Sequence, residues 1–263
     1  MNTKAIPTLA WFVPLFPLAL TLAIYCGELQ TGSFLFINQL THLLPNTLWA
    51  WLTFLGNGWG VFAIAFPLIL LAPRALTAGI FAGALAAIAS TTLKNYFDLP
   101  RPASVLGDGS FYRLGEPLLH KAFPSGHTLT AFAIATALYF SCDKNKRTPM
   151  LLLFITAALV GLSRNALGAH WFTDVLGGAG FGIWCGILGA IFSNRIPEQY
   201  FSLKGIWLRL VAIGGMVAIY AHLTQIMDHE FNLPLQYASI AILLITLALF
   251  IKAQFNTSLT KSE

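Results

Sequence analysis

Eight stretches of apolar residues separated by short polar links leave this chain few ways to fold. They run near 8–26, 48–72, 75–93, 127–142, 149–166, 174–193, 206–227 and 235–252, each close to the roughly 20 residues that carry a helix across a bilayer. In hydrocarbon the backbone must satisfy its own hydrogen bonds, as a helix does. The sequence therefore reads as all-α, a polytopic transmembrane helical bundle of about eight spans. Composition agrees: 57% of the 263 residues are hydrophobic and 10% are charged, against about 25% charged in an average soluble domain. No polar stretch is long enough to form a separate soluble unit, so residues 1–263 are expected to form a single membrane domain.

The apolar run that follows Lys4 resembles a secretory signal, but no small-residue cleavage site follows it and Pro7, Pro14 and Pro17 interrupt it. It is taken as the first span. Residues 33–44 contain Asn38, Gln39 and His42 and are too short to cross, which predicts an interfacial or re-entrant piece. Small residues recur at every fourth position at Gly178, Gly182, Gly186 and Ala190, and at Gly79, Gly83 and Ala87. Such stripes let helices approach closely.

Alternating the spans from a cytoplasmic N-terminus gathers most of the 15 basic residues on one side: Lys4, Arg74, Lys144, Lys146, Arg147, Arg195, Lys204, Arg209, Lys252 and Lys261. That is the bias expected of the cytoplasmic face. Lys94, Arg101, Arg113, Lys121 and Arg164 remain on the far side, which the reading assigns to the periplasm of a cell inner membrane. The net charge of +5 forms no basic stripe and implies no nucleic acid. Cys26, Cys142 and Cys185 lie far apart without metal-ligand spacing, so neither a disulfide nor a metal site is expected.

The far-side cations belong to three short patterns: Lys94 with Arg101-Pro102, Pro124-Ser125-Gly126-His127, and Ser163-Arg164 with His170 and Asp174. Ionisable groups are costly in a membrane protein and mark functional positions. Two arginines grip phosphate oxygens through planar forks and a lysine adds a point charge. Ser125 and Gly126 suit a helix start whose free N–H groups favour an anion. His170 and Asp174, four apart, share one helical face. A carboxylate bonded to one ring nitrogen fixes the tautomer and frees the other nitrogen to attack.

Lys-x6-Arg-Pro, Pro-Ser-Gly-His and Ser-Arg-x5-His-x3-Asp resemble the three signature motifs of the type-2 phosphatidic acid phosphatase superfamily. The resemblance covers roughly 75–193, the expected catalytic core, and leaves 206–252 as an additional C-terminal pair. It implies that His170 attacks phosphorus to give a phosphohistidine, with Asp174 orienting it. His127 would protonate the leaving alcohol and then activate water. Lys94, Arg101, Ser125, Gly126 and Arg164 would bind the phosphate, with no cofactor and no metal. The loop 103–122, carrying Asp108, Tyr112, Arg113, Glu116, His120 and Lys121, would cover the site and read a headgroup, with Lys121 near the phosphate. His42, His222 and His229 have no partner pattern and read as interfacial.

The substrate implied is a membrane lipid phosphate: undecaprenyl pyrophosphate, phosphatidylglycerophosphate or phosphatidic acid. A lipid A phosphatase or a lipid-to-lipid phosphotransferase would use the same residues, although the loop 103–122 is short for a large disaccharide. A lipid transporter or scaffold with an idle site is the alternative from another class, and release of phosphate separates it from an enzyme.

Overall fold

The computed structural model describes residues 6–107 and 109–259; Lys4, Asp108 and Lys261 lie outside them. Among the described residues twelve α-helices follow in order: α1 (Leu15–Cys26), α2 (Gln30–Thr41), α3 (Asn46–Phe54), α4 (Gly58–Ala65), α5 (Leu68–Leu71), α6 (Pro73–Phe97), α7 (Pro102–Val105), α8 (Gly126–Ser141), α9 (Arg147–Ala166), α10 (Phe172–Arg195), α11 (Ile206–Thr224) and α12 (Leu233–Leu259). No strand occurs among the described residues. The protein is an all-helical membrane bundle.

All eight apolar stretches are helical, but two depart from a simple span. Among the described residues six segments are long and apolar enough to cross a membrane: Thr8–Cys26, Pro73–Val105, Lys144–Ala166, Phe172–Arg195, Glu198–Thr224 and Glu230–Phe255. The 16 residues of α8 fall short of the roughly 20 that a span needs. The stretch 48–72 breaks into α3, α4 and α5, with a 71° bend between α3 and α4; counting that pair as one span raises the total to seven.

The bend has a local cause. Asn57 caps α4, its Oδ1 accepting from the N–H of Trp59 at 3.0 Å and Gly60 at 3.4 Å, as polar side chains do at a helix start. Gly56 lies so close beneath the His127 backbone that a Cβ there would sit 2.9 Å from the His127 Cβ and 2.5 Å from Val160 Cγ1. The break thus brings the chain directly under a candidate site residue.

At the centre stands α10, most of whose apolar length is buried inside the bundle, whereas the first span is largely exposed. Its small-residue stripe packs on α8 almost backbone to backbone: a Cβ on Gly178, Gly182 or Gly186 would lie 2.7 Å from Ser125 O, 2.5 Å from Leu129 O or 2.4 Å from Thr136 Cβ. The other stripe behaves differently. Added Cβ atoms on Gly79 and Gly83 would meet Ile134 Cδ1 at 3.7 and 3.8 Å. With Ala87 these residues line a cavity of about 760 Å³ between α4, α6, α8 and α11, so small side chains here leave room instead of closing a contact.

The short helix α2 lies over the site end of the bundle, burying Phe34 edge-on against Trp171 and Phe111. The buried Asn38 donates to the carbonyls of Tyr112 and Asn165, both at 2.9 Å. The final pair, α11 and α12, packs against α4 and α5 through Phe66, Ile69, Leu208, Val211, Leu243 and Phe250. His222, expected at the interface, is 4% exposed inside this pair. Its Nδ1 lies 2.8 Å from Ala218 O, where a buried ring nitrogen finds the partner it needs.

Candidate active site

The three sequence patterns come from four separate segments, and hydrogen bonds tie them together. Lys94 stands in the last turn of α6, and Arg101 follows in the link to α7. That link pairs with the end of the long loop: Arg101 N–H donates to Leu119 O and Ala122 N–H to Leu99 O, both at 2.9 Å. Trp171 Nε1 donates to Pro100 O at 2.8 Å, joining the link to the start of α10. The Ser125 N–H donates to Asp174 O at 3.0 Å, joining α8 to α10. Asn165 Nδ2 donates to His170 O at 2.7 Å and shapes the turn between α9 and α10. Gly168 in that turn has φ +69°, and a Cβ there would clash with the Tyr112 carbonyl at 2.6 Å.

His170 and Asp174 side chains are each 2% exposed, with Nδ1 3.1 Å from Oδ2. The same Oδ2 accepts the Trp171 N–H at 2.9 Å. On the other ring edge, Nε2 lies 3.2 Å from Arg101 Nη1. A guanidinium has donors and no acceptor, so this contact requires a lone pair on Nε2 and assigns the proton to Nδ1. His170 is therefore a neutral imidazole with a carboxylate behind it and its lone pair facing a cation. Its pKa is pushed well below the usual 6.5, first by burial and then by the charges of Arg101, Arg164 and Lys94 and by His127.

Arg101 is fixed by further donation to His120 O at 2.8 Å, Ala169 O at 3.0 Å and Lys121 O at 3.3 Å. Arg164, 6% exposed, donates from Nη1 to Thr53 Oγ1 at 3.2 Å, and its buried Nε has no hydrogen-bond partner among the described residues. The Lys94 ammonium lies 3.6 Å from where a Cβ on Gly126 would be. None of these three cations makes an ion pair among the described residues. Buried charge without a counter-charge is costly, and an anion with several acceptor oxygens would suit Arg164 Nε, Lys94 and the first-turn amides of α8.

Ser125 occupies the cap position of α8 without a side-chain cap bond; its fully buried Oγ accepts from Thr128 Oγ1 at 3.0 Å. Lys121 Nζ donates to Asn95 Oδ1 at 2.8 Å. Tyr112 stacks on His42 with ring centroids 4.2 Å apart. Arg113 follows it, its Cα 3.1 Å from the Cβ position of Gly168. Gly109, Phe111, Tyr112 and Arg113 line a recess of about 290 Å³, so this part of the loop stands over the turn that carries His170.

Sequence reasoning gave Asp228 no role. Its Oδ1 lies 2.8 Å from His127 Nε2, and its Oδ2 accepts from Asn57 Nδ2 at 3.1 Å. Burial opposes ionisation of this carboxyl, yet His127, their hydrogen bond, Arg164 and Asn57 hold it down to about 2. The available signal was an acid in a polar link on the same side as the patterns; the contact itself joins residues 101 positions apart. Asn57 also lines one end of the 760 Å³ cavity, which continues past Gly83, Ile134 and Leu76 to Trp207. The apolar cavity and the polar site therefore share a wall.

Cations without counter-charges, a neutral imidazole backed by a carboxylate and the start of a helix thus meet at one end of a membrane helical bundle, an arrangement suited to an anion. The chain belongs to the PAP2 superfamily, whose family profile matches residues 75–197. It is 42% identical over 93 residues to a lipid A 1-phosphatase of Porphyromonas gingivalis, covering 34% of this chain and 20% of that one. It is 36% identical over 92 residues to phosphatidylglycerophosphatase B of Bacillus subtilis, covering 31% and 45%. The matched stretches thus span less than half the length of these relatives. The crystal structure of Aquifex aeolicus LpxE superposes with a TM-score of 0.55 at 34% identity, over 61% of this chain and 94% of that one.

Proposed function

We propose that the protein is a phosphatase of membrane lipid phosphates that works through a phosphohistidine. The observation that carries this reading is the Arg101–His170–Asp174 array, which presents an unprotonated Nε2 with a carboxylate at its back. Nε2 attacks phosphorus, and the bond from phosphorus to the lipid oxygen breaks. Asp174 stabilises the positive charge that develops on the ring. His127 gives its proton to the departing oxygen, so a neutral alcohol leaves from a monoester and a protonated lipid monophosphate from a diphosphate. His127 then takes a proton from water, the resulting hydroxide attacks phosphorus, and the P–N bond breaks to return Nε2 and inorganic phosphate. Lys94, Arg101, Arg164, Ser125 and the Gly126 N–H hold the equatorial oxygens. These fixed cations supply the charge neutralisation that metal ions give elsewhere.

The cavity beside Asn57 supports a lipid as substrate. It extends along α6 from Ala87 to Leu76, about 16 Å at 1.5 Å per residue, and gives an acyl or prenyl chain an apolar path beside the headgroup site. The distribution of basic residues favours a site on the periplasmic face of the inner membrane. Undecaprenyl pyrophosphate, phosphatidylglycerophosphate and phosphatidic acid fit the headgroup the cations would hold. A lipid A phosphatase is a second reading, favoured by the relative of that description in Porphyromonas gingivalis.

Phosphate release by the purified protein tests the proposal on a panel of undecaprenyl pyrophosphate, glycerophospholipid phosphates, lipid A and glucose 6-phosphate. Turnover of a lipid that persists in EDTA and is blocked by vanadate is expected. Equal efficiency on the soluble sugar phosphate and on every lipid would defeat the membrane-access argument, and absence of release from all of them would favour a scaffold.

A further inference from the structure

The buried polar residues of the C-terminal pair converge on one turn, between α11 and α12, that has no catalytic pattern in its sequence. Gln236, 1% exposed, accepts the Met227 N–H at 3.1 Å and donates to His222 O at 3.1 Å and Gln225 O at 2.8 Å. Asn232, fully buried, donates to Met227 O at 2.9 Å. From outside, Trp51 Nε1 donates to Phe231 O at 2.9 Å. Buried amides need partners, and Gln236 and the Asn232 Nδ2 find them in the backbone of this turn, whereas Asn232 Oδ1 has none among the described residues. A turn that only connected two spans would not require such bracing. The backbone it fixes includes Asp228, held in the left-handed region at φ +63°.

We propose that Asp228 is a positioning residue for His127, holding Nε2 so that Nδ1 faces the leaving oxygen of the substrate. The proposal rests on the reading of His127 as the proton donor above. The contact is short and shielded, with the two side chains 22% and 14% exposed. Asn57 engages the second carboxylate oxygen, so the carboxylate cannot swing away without losing two partners. The arrangement repeats the His170–Asp174 pair with a carboxylate from a distant part of the chain.

The charges around His127 give the carboxylate a second effect. Burial opposes a charge on this ring, Arg164 from α9 and Lys94 from α6 oppose it further, and Asp228 from the α11–α12 turn favours it, while His170 and His229 lie close enough to feel its charge in turn. Lys94 and Arg164 repel a proton on the ring, and Asp228 attracts it. Asp228 thus raises the share of His127 that carries the proton transferred through Nδ1 to the departing lipid oxygen and recovered from water in the second half-reaction. The C-terminal pair is then part of the catalytic apparatus, acting through His127.

The test is Asp228→Asn in the full-length protein. It is assayed on dioleoyl phosphatidic acid, whose alcohol must be protonated as it leaves, and on 4-nitrophenyl phosphate, whose phenolate leaves unaided. On the lipid, the single-turnover rate of phosphoenzyme formation should fall about 30- to 100-fold, at or below the lower end of the ~10²–10⁴-fold general acid range because the donor itself remains, with KM changed by less than about threefold. On the aryl ester the single-turnover burst of 4-nitrophenolate should slow less than about threefold, because it precedes the water step that also uses His127. The alkaline limb of the lipid profile should move down by about one pH unit or more, as expected when an adjacent opposite charge is removed. Asp228→Glu should restore part of the loss, and Asp228→Asn should add nothing in a His127→Ala background. If Asp228→Asn does not accumulate folded, Asp228→Ser takes its place in each comparison. Equal losses on both esters, an unmoved pH profile or additive effects with His127→Ala would overturn the proposal. Wild-type protein inactive on both esters would overturn the phosphatase reading and this inference with it.

Discussion

Replacing Asp174 by Asn isolates the charge behind His170, because the structure dictates which amide atom takes the place of Oδ2. That atom accepts two donors, the His170 Nδ1–H at 3.1 Å and the Trp171 N–H at 2.9 Å. The backbone N–H cannot accept from an amide, so the Asn oxygen must occupy the position and His170 keeps its proton on Nδ1. Geometry and tautomer survive; the attraction between carboxylate and developing imidazolium does not. Two unit charges about 4 Å apart interact by about 4 kcal/mol at an effective dielectric of about 20. Both side chains are 2% exposed, so salt screens the pair little. The amide dipole still offers a neutral hydrogen bond, which leaves a net loss of about 2–3 kcal/mol. That is about 30- to 150-fold in the rate of phosphoenzyme formation. Asp174→Ala should cost a further ~1–3 kcal/mol for each donor left without an acceptor. Single-turnover kinetics on a lipid phosphate, with melting temperature as the control for folding, measures both. Asp174→Asn within about threefold of wild type, or as slow as Asp174→Ala, would refute the reasoning.

The same structure fixes other outcomes. Because burial and three cations push the His170 pKa well below 6.5, the acid limb of kcat/KM should lie below the ordinary imidazole range. The unfolded chain takes up that proton first as pH falls, so stability should decrease below about pH 6.5; Asp228, held at about 2 against an ordinary 3.8, adds a second loss as pH falls from 3.8 towards 2. Gly182→Val should destabilise the protein by about 3 kcal/mol, the upper part of the usual overpacking range, because its Cβ would lie 2.5 Å from Leu129 O. Gly79→Ala, which faces the cavity, should leave the melting temperature unchanged. Single cysteines at Ser110 and Asn145, in a background without the native three, report orientation in intact cells. An impermeant thiol reagent should label Ser110, and labelling of Asn145 instead would mean the protein is inverted.

The residues gathered at the site divide by how local their signals are. Ser125, Gly126 and His127 are consecutive at the start of α8, whereas His170, expected to share a helical face with Asp174, lies in the turn before α10 and meets it because the Asp174 carboxylate reaches back to cap that turn through the Trp171 N–H. Lys94, Arg101 and Arg164 stand out because a cation at the end of an apolar span needs a reason to be there. Asp228 has no such signal: its contact with His127 depends on how α11 and α12 lean on α4 and α5, which packing decides. Asn57 was legible only as a polar residue between two glycines, and the hydrophobicity of 48–72 concealed the 71° bend it caps. The stripe Gly79, Gly83 and Ala87 has the same spacing as the one on α10, yet it lines a cavity, since small residues permit close approach without requiring it. His222 shows the converse case, a polar residue in an apolar helix whose burial depends on a hydrogen bond to its own preceding turn.

The central claim is that His170 carries the phosphoryl group during turnover. Purified protein mixed with a radiolabelled lipid phosphate and quenched in alkali within one turnover should hold up to one equivalent of base-stable, acid-labile phosphate. Mass spectrometry should place it on the peptide containing His170, and His170→Ala should show neither label nor turnover. Wild-type turnover with no trapped phosphoramidate, label on another residue, or a His170→Ala variant that keeps a tenth of the activity would contradict the account.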